Sequence, residues 1–323
     1  KRNPSALNKG IFHRSLWQHF SLSRAARKVG CDVLLVPGGL HTGNFHPVVT
    51  MSQNLLPFEM RELLRYGWSI RTFRFLILRL LMSRSFRMSD GIIFLTQYAF
   101  TAVLSVTAML GGHTRIIPHG MNVRFNRAPK EQCLISEYDN DKPYRILYVS
   151  SIEPYKHQCN VVEAVAELRN LGLPIVLDLV GQAYQPALLH LNKVLSKFDP
   201  ERNWVNYKGV IDFNNLHQFY FQSDLGIFAS SCENMPNILI ETMASGLPIA
   251  CSNLGPMPEV LGNAGIFFDP EQTKSIANAL QTLIDSPQLR TELSKASYER
   301  AQHFSWKHCA DETLGFLSNV AKN

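Results

Sequence analysis

The amino-acid sequence predicts an α/β protein built from two doubly wound parallel-sheet units. Two observations carry this. Its strands read as continuous apolar runs without alternation, Asp32–Pro37, Gly91–Thr96, Tyr144–Val149 and Ile175–Val180 among them, each followed by a segment of helical apolar spacing. Strands covered by helices on both faces have that appearance. A polar, aperiodic stretch, Met121–Pro143, then breaks the pattern, which restarts at Tyr144. A chain of 323 residues is long enough for two domains of about 150 residues each.

Taken in order, Ser15–Val29 has helical spacing and stops at Gly30, and Asp32–Pro37 is a strand ending in two glycines. His46–Met51 is a second strand, leading into the loop Ser52–Glu59. One long basic and apolar helix is expected over Met60–Met88, then strand Gly91–Thr96, a helix to Leu110 and a short strand Thr114–Pro118. Beyond the polar stretch come helix His157–Leu171, strand Ile175–Val180, helix Ala187–Phe198, strand Trp204–Tyr207 and helix Asn214–Gln222. The chain closes with strand Asp224–Phe228, helix Ile238–Ala244, strands Ile249–Ser252 and Gly265–Phe268 around a short helix near Met257–Leu261, and three helices from Thr273. The expected division is a first unit over 1–125, a connection over 126–143, a second unit over 144–305, and a closing helix over 306–323 that packs back on the first. The first unit shows three or four strands where five or six are usual. With Lys1 in place of a Met, its opening strands are expected to be missing.

Composition excludes several classes. An apolar fraction of 46% and a charged fraction of 18% belong to a packed globule, not a disordered chain. The six cysteines are scattered without a CxxC pair, which argues against a zinc site or a disulfide framework and fits a reducing cytoplasm. No apolar run approaches the ~20 residues of a membrane span, and no signal peptide opens the chain. The net charge of +6 is unevenly spread: Arg61, Arg65, Arg71, Arg74, Arg79, Arg84 and Arg87 face only Glu62. That helix is either a core element coated with arginines or a basic, apolar surface resting on anionic lipid. Nucleic acid is not an expected partner, since no stacking aromatics interleave with the basic residues and no reader motif occurs.

Two stretches carry candidate chemistry. In Ser230–Pro248, SSCENMPNILIETMASGLP, the acids Glu233 and Glu241 stand eight positions apart around Pro236 and Asn237. Glu233 is expected on a loop at the carboxyl end of a strand, and Glu241 about one turn into the next helix. Ligands of open parallel sheets bind in that crevice, beside a helix N-terminus that favours anions. The second stretch, Ser150–His157, also follows a strand, and Lys156 at its loop–helix junction can neutralise a diphosphate as a point charge.

ENMPNILIETMASGLPI resembles the E-x7-E segment of retaining glycosyltransferase family 4, whose members have the two-domain GT-B fold. Leu147–Ser151 with Pro154 and Lys156 resembles that family's phosphate loop. Leu179-Val180-Gly181, Tyr207-Lys208-Gly209, Ile117-Pro118-His119-Gly120 and Phe304-Ser305-Trp306 are similar to its further landmarks, so the resemblance covers most of the chain.

The resemblance implies a GT-B enzyme that moves a sugar from a nucleotide-diphosphate donor to a glycan or lipid-linked acceptor, with retention, in polysaccharide-type biosynthesis. It implies that Glu233 lies by the donor sugar and Lys156 takes the diphosphate charge, while Glu241 accepts from the ribose hydroxyls. Asn234, Met235, Pro236 and Asn237 would present backbone N–H groups to sugar and phosphate, with Ser151 in the phosphate loop and Gly209 to Ile211 bordering the base. Asn54, Glu59 and His119 are the candidates on the acceptor side. No metal or other cofactor is implied, because Lys156 and the helix end can replace one. A cytoplasmic location at the inner leaflet follows. Two departures from the family pattern stand out: Ser151 occupies the usual Arg position, and Thr50-Met51-Ser52-Gln53-Asn54 replaces a T-x-H-D loop. They keep open a nucleotide-sugar-binding protein without turnover; a GT-B epimerase or hydrolase is the other rival.

Overall fold

The computed structural model describes residues 17–322. The chain divides into one unit comprising the residues up to Pro118 together with those from Lys307 onward, and a second comprising His119–Trp306. The start of the helix expected over Ser15–Val29 lies outside the described residues.

The first unit holds a four-stranded, all-parallel sheet in the order β1 (Leu34–Val36), β2 (Val48–Met51), β3 (Gly91–Phe94), β4 (His113–Ile116). β2 and β3 are buried along their length, whereas the edge strand β4 is exposed. Helix α1 (Leu22–Lys28) precedes the sheet. The single helix expected over Met60–Met88 is in fact two, α2 (Met60–Leu64) and α3 (Ile70–Met88). Gly67 takes a left-handed φ of +60°, and the Ser69 hydroxyl caps α3 by accepting from the Thr72 N–H at 3.2 Å. α4 (Gln97–Thr107) crosses from β3 to β4. Leu55, Phe58, Met82, Phe86, Phe94 and Val103 form the core of this unit. A Cβ on Gly91 would lie 3.0 Å from Phe316 and Val320, so the closing helix seats directly on β3.

In the second unit six parallel strands run in the order β10-β9-β8-β5-β6-β7. They are β5 (Tyr144–Val149), β6 (Ile175–Val180), β7 (Val205–Tyr207), β8 (Leu225–Phe228), β9 (Ile249–Ser252) and β10 (Ile266–Phe268). The crossovers are α5 (Gln158–Asn170), α6 (Gln185–Phe198), α7 (Phe213–Gln222), α8 (Asn237–Ala244) and α9 (Met257–Leu261). From β5 the chain steps outward to β7, returns to β8 on the other side of β5, and steps outward again. The strand order therefore reverses between β5 and β8, and the crevice at their carboxyl ends is the topological switch point. Helices α10 (Thr273–Asp285), α11 (Pro287–Ala301) and α12 (Trp306–Lys322) end the chain.

The units part at Pro118, earlier than the boundary expected at residue 125, because the intervening residues pack on the second unit. Met121 N–H donates to Phe304 O at 3.0 Å, and the fully buried Phe125 ring meets Phe213 and Tyr220 edge-on.

Candidate active site at the switch point of the second unit

Two loops leave the strands that flank the switch point. After β5 the chain makes one tight turn, Pro154–Lys156, and His157 takes a left-handed φ of 52° before α5 begins. That conformation is uncommon outside glycine, and here it is held by a contact to the neighbouring loop: His157 Nε2 lies 3.0 Å from Ser231 Oγ. Ser231 N–H in turn donates to Tyr155 O at 2.9 Å. The loop after β8, Ala229–Pro236, is buried except at Glu233, and runs straight into α8.

Lys156 and Glu233 meet across these loops as an ion pair, with side chains 6% and 17% exposed. The ammonium also lies 5.2 Å from the Tyr155 ring centroid and 5.4 Å from that of Phe228, so it rests on an aromatic floor. Below it, the Tyr148 hydroxyl donates to Lys156 O at 2.7 Å, fixing the backbone from which the side chain springs. A buried cation and anion aimed at one crevice can hold a ligand that carries both acceptor oxygens and hydroxyl donors.

Glu241 lies just over one turn into α8. Burial pushes its carboxyl up to about 7, and the Tyr220 hydroxyl, donating to it at 3.3 Å, works the other way. Burial and the Glu241 charge together raise the Tyr220 phenol well above its ordinary value. α8 is packed tightly against the sheet: a Cβ on Gly226 of β8 would come within 2.3 Å of Thr242 Cγ2. On the other side its last turn takes a bond from Arg127 N–H to Ala244 O at 2.9 Å.

The loops after β5, β6 and β7 are stitched together. Ile152 N–H donates to Gln182 O and Gly181 N–H to Gly209 O, each at 2.8 Å. Ser151 O accepts from Gln158 Nε2 at 2.8 Å.

The sequence-derived candidates thus fall into two groups. In the second unit, Lys156, Glu233, Asn234, Met235, Pro236, Asn237 and Glu241 gather around the mouth of the switch point, with Ser151, Gly209 and Ile211 on the adjoining loops. Asn234, Met235 and Pro236 are buried, while Asn237 is exposed at the start of α8. His119 also belongs here: its Nδ1 lies 3.3 Å from the Asn237 side-chain amide and its ring packs 5.1 Å from Trp306. Burial lowers its pKa below the ordinary histidine value. His119, expected from the sequence on the acceptor side, thus stands beside the start of α8. Asn54 and Glu59 lie in the first unit. Asn54 Oδ1 accepts from Leu56 N–H at 3.2 Å, and Glu59 Oε1 accepts from the Tyr98 hydroxyl at 2.6 Å.

Sequence reasoning missed the Lys156–Glu233 contact itself, the Tyr148 and Phe228 support beneath it, and Tyr220 beside Glu241. Only the position of Phe228 at the end of β8 hinted at the floor. Among the described residues, no three His, Cys, Asp or Glu side chains come together to hold a metal ion.

The sequence model of the family "Glycosyl transferases group 1" matches residues 135–300. The O-antigen chain mannosyltransferase B of Escherichia coli is 27% identical over 191 residues, which are 58% of this chain and 49% of that protein. The D-inositol 3-phosphate glycosyltransferase of Rhodococcus erythropolis is 27% identical over 188 residues, 55% of this chain and 42% of that one. The chain thus spans about half the length of these relatives, or less. Among solved structures, the sucrose-phosphate synthase of Thermosynechococcus elongatus superposes with a TM-score of 0.75 at 20% identity, over 93% of this chain and 76% of that one. HepE of Anabaena, solved with UDP-glucose, superposes with a TM-score of 0.67 at 19% identity, over 84% and 72% of the two chains. The two parallel-sheet α/β units are those of the GT-B fold.

Proposed function

The chain belongs to the group 1 glycosyl transferases, and from that premise we propose that it transfers a sugar, with retention, from a nucleotide-diphosphate donor to a glycan or lipid-linked acceptor. The observation that carries the proposal is the largely buried Lys156–Glu233 pair at the mouth of the switch point, with Glu241 just over one turn into the helix that follows the Glu233 loop.

In this reading the ribose hydroxyls donate to Glu241, and the base lies along Gly209 to Ile211. The diphosphate sits over Lys156 and the start of α8, where backbone N–H groups and the positive end of the helix dipole favour anions. Glu233 holds the sugar hydroxyls and faces positive charge that grows near the anomeric carbon. As the bond from that carbon to the β-phosphate oxygen breaks, its electron pair passes to the diphosphate, whose added charge Lys156 stabilises in the transition state. The acceptor hydroxyl attacks from the same face and gives its proton to the departing phosphate. No protein nucleophile and no metal is invoked, because the leaving phosphate serves as base and Lys156 as cation.

HepE binds UDP-glucose, and the Escherichia coli relative is a mannosyltransferase of O-antigen chains. These support a hexose donor and a glycan acceptor of the polysaccharide type. The six cysteines, all free, suit a cytoplasmic location, and a lipid-linked acceptor would place the enzyme at the inner leaflet. No helix among the described residues is long and apolar enough to cross a membrane.

The test is a thermal-shift panel of UDP-, GDP- and ADP-sugars, followed by donor turnover with the native protein and Glu233→Gln. Stabilisation by one nucleotide series with turnover lost in the variant is expected. Nucleotide binding without turnover of any donor in the full chain would favour a binding protein. Failure to bind any nucleotide would sink the site assignment.

A further inference from the structure

The sequence leaves α3 as either a core helix coated with arginines or a basic, apolar surface resting on anionic lipid, and in the structure it is apolar on both sides. One side, with Met82 and Phe86, is buried in the core of the first unit. The other carries Ile70, Phe73, Ile77, Leu80 and Leu81, all exposed. Their spacing of three and four residues puts them on one stripe of the helix. Trp68, in the turn that breaks the expected long helix, is fully exposed beside the first turn of the stripe. A continuous exposed apolar face of this kind marks an interaction site.

Charge identifies the occupant. Seven arginines lie between positions 61 and 87 with a single acid, and that acid, Glu62, is already buried and paired with Arg65 at 2.7 Å. Arg74 and Arg84 are exposed on the stripe itself. A symmetric contact with a second copy would set this basic face against itself, so like charges would oppose it. A surface that is both apolar and anionic satisfies the tryptophan, the aliphatic stripe and the arginines together. We propose that the Trp68–Leu81 face of α3 docks on an anionic lipid bilayer, its apolar stripe entering the interface and its arginines meeting the headgroups. The inference deepens the proposed function by giving an inner-leaflet enzyme its membrane-facing surface.

The experiment uses the full chain and no donor or acceptor, so that its failure leaves glycosyl transfer untouched. Sedimentation is measured with phosphatidylglycerol vesicles and with phosphatidylcholine vesicles. Binding is expected to the anionic vesicles, to fall with salt, and to drop about five-fold for each of Arg74→Gln and Arg84→Gln. Phe73→Ser with Leu80→Ser should abolish it while the thermal melt stays at the native temperature. Quenching of tryptophan emission by brominated phosphatidylglycerol should be lost in Trp68→Phe, a variant that disturbs no packing. The proposal is overturned if the anionic vesicles are not bound, or if the two arginine variants and the Phe73→Ser, Leu80→Ser double variant bind as the native protein does. It is equally overturned if the native chain self-associates and Phe73→Ser dissolves the oligomer without any effect on vesicles.

Discussion

Lys156 and Glu233, 77 positions apart in the chain, close the gap between β5 and β8 as a largely buried ion pair. Removing one partner strands the other's charge, whereas removing both does not, and breaking such a pair costs about 3 kcal/mol. Lys156→Met is therefore expected to lower unfolding stability by roughly that amount, and Lys156→Met with Glu233→Leu by clearly less. Urea unfolding of the two single variants and the double gives the coupling. Equal losses that simply add would show that the pair contributes nothing as a pair. Activity lost in either single variant has to be read at a temperature where the variant is still folded.

If the ribose hydroxyls donate to Glu241, as proposed, nucleotide binding should depend on pH. With its carboxyl near 7 in the fold and about 4.5 in an unconstrained chain, the folded protein holds this proton more tightly than the unfolded one. That contribution to stability, on the order of 3 kcal/mol, is complete below pH 4.5 and is lost as pH rises through 7. Ribose hydroxyls pull the other way, since they donate only to acceptors and favour the carboxylate. UDP affinity should rise with pH through 7, and binding below 7 should release protons, seen by titration calorimetry in two buffers of different ionisation heat. Glu241→Gln should give a flat profile. A native affinity independent of pH between 5.5 and 8 would remove Glu241 from the ribose.

Arg290 is a structural cation that ties the loop carrying Gln132 and Cys133 to the end of α10 within the second unit. It is fully buried and donates to Leu283 O and Ile284 O at 2.6 Å, to Gln132 Oε1 at 3.1 Å, and to Cys133 O. The first two acceptors are last-turn carbonyls of α10, of which Leu283 O also takes the capping Ser286 N–H at 3.4 Å. Arg290→Met is expected to cost about 3 kcal/mol, since it leaves several buried acceptors unpaired. Arg290→Lys should recover little, because one ammonium cannot reach acceptors spread along a planar fork. Thermal melts that leave Arg290→Met at the native temperature would show the acceptors are satisfied without it.

The second unit was legible because its strands are mostly apolar and do not alternate, Arg145, Asp178 and Asn206 notwithstanding, and each break is marked. The run Tyr144–Val149 and the reversal of order around it also put Lys156 and Glu233 at the right ends of their strands. The break at Gly67 in the first unit was written as clearly, a glycine two residues before a capping serine. The apolar and basic residues on either side keep helical spacing, and that periodicity masks the break. Arg290 could not be foreseen, since its partners come from a helix end and a loop more than 150 positions upstream. Nor could the position of His119, because packing of Met121 and Phe125, not composition, decides which unit those residues join.

Gly181 tests whether the stitched loops govern the site. It sits at the end of β6 with φ +145°, and a Cβ there would lie 2.2 Å from Ser150 O and 2.6 Å from Ser150 C. Both are backbone atoms at the start of the loop that carries Lys156, so no side-chain rotation can relieve the clash. Gly181→Ala must either push that loop away or break the bond from Gly181 N–H to Gly209 O. A loss of about 3 kcal/mol in stability is expected, together with a fall in UDP affinity of about ten-fold. Gly172 is the control: it also has a positive φ, of +87°, but nothing lies within 4 Å of where its Cβ would be. Gly172→Ala should therefore cost only the backbone strain, about 1 kcal/mol, and leave UDP affinity unchanged. If Gly181→Ala weakens stability but binds UDP as tightly as the Gly172 variant, the Ser150–His157 loop does not hold the diphosphate.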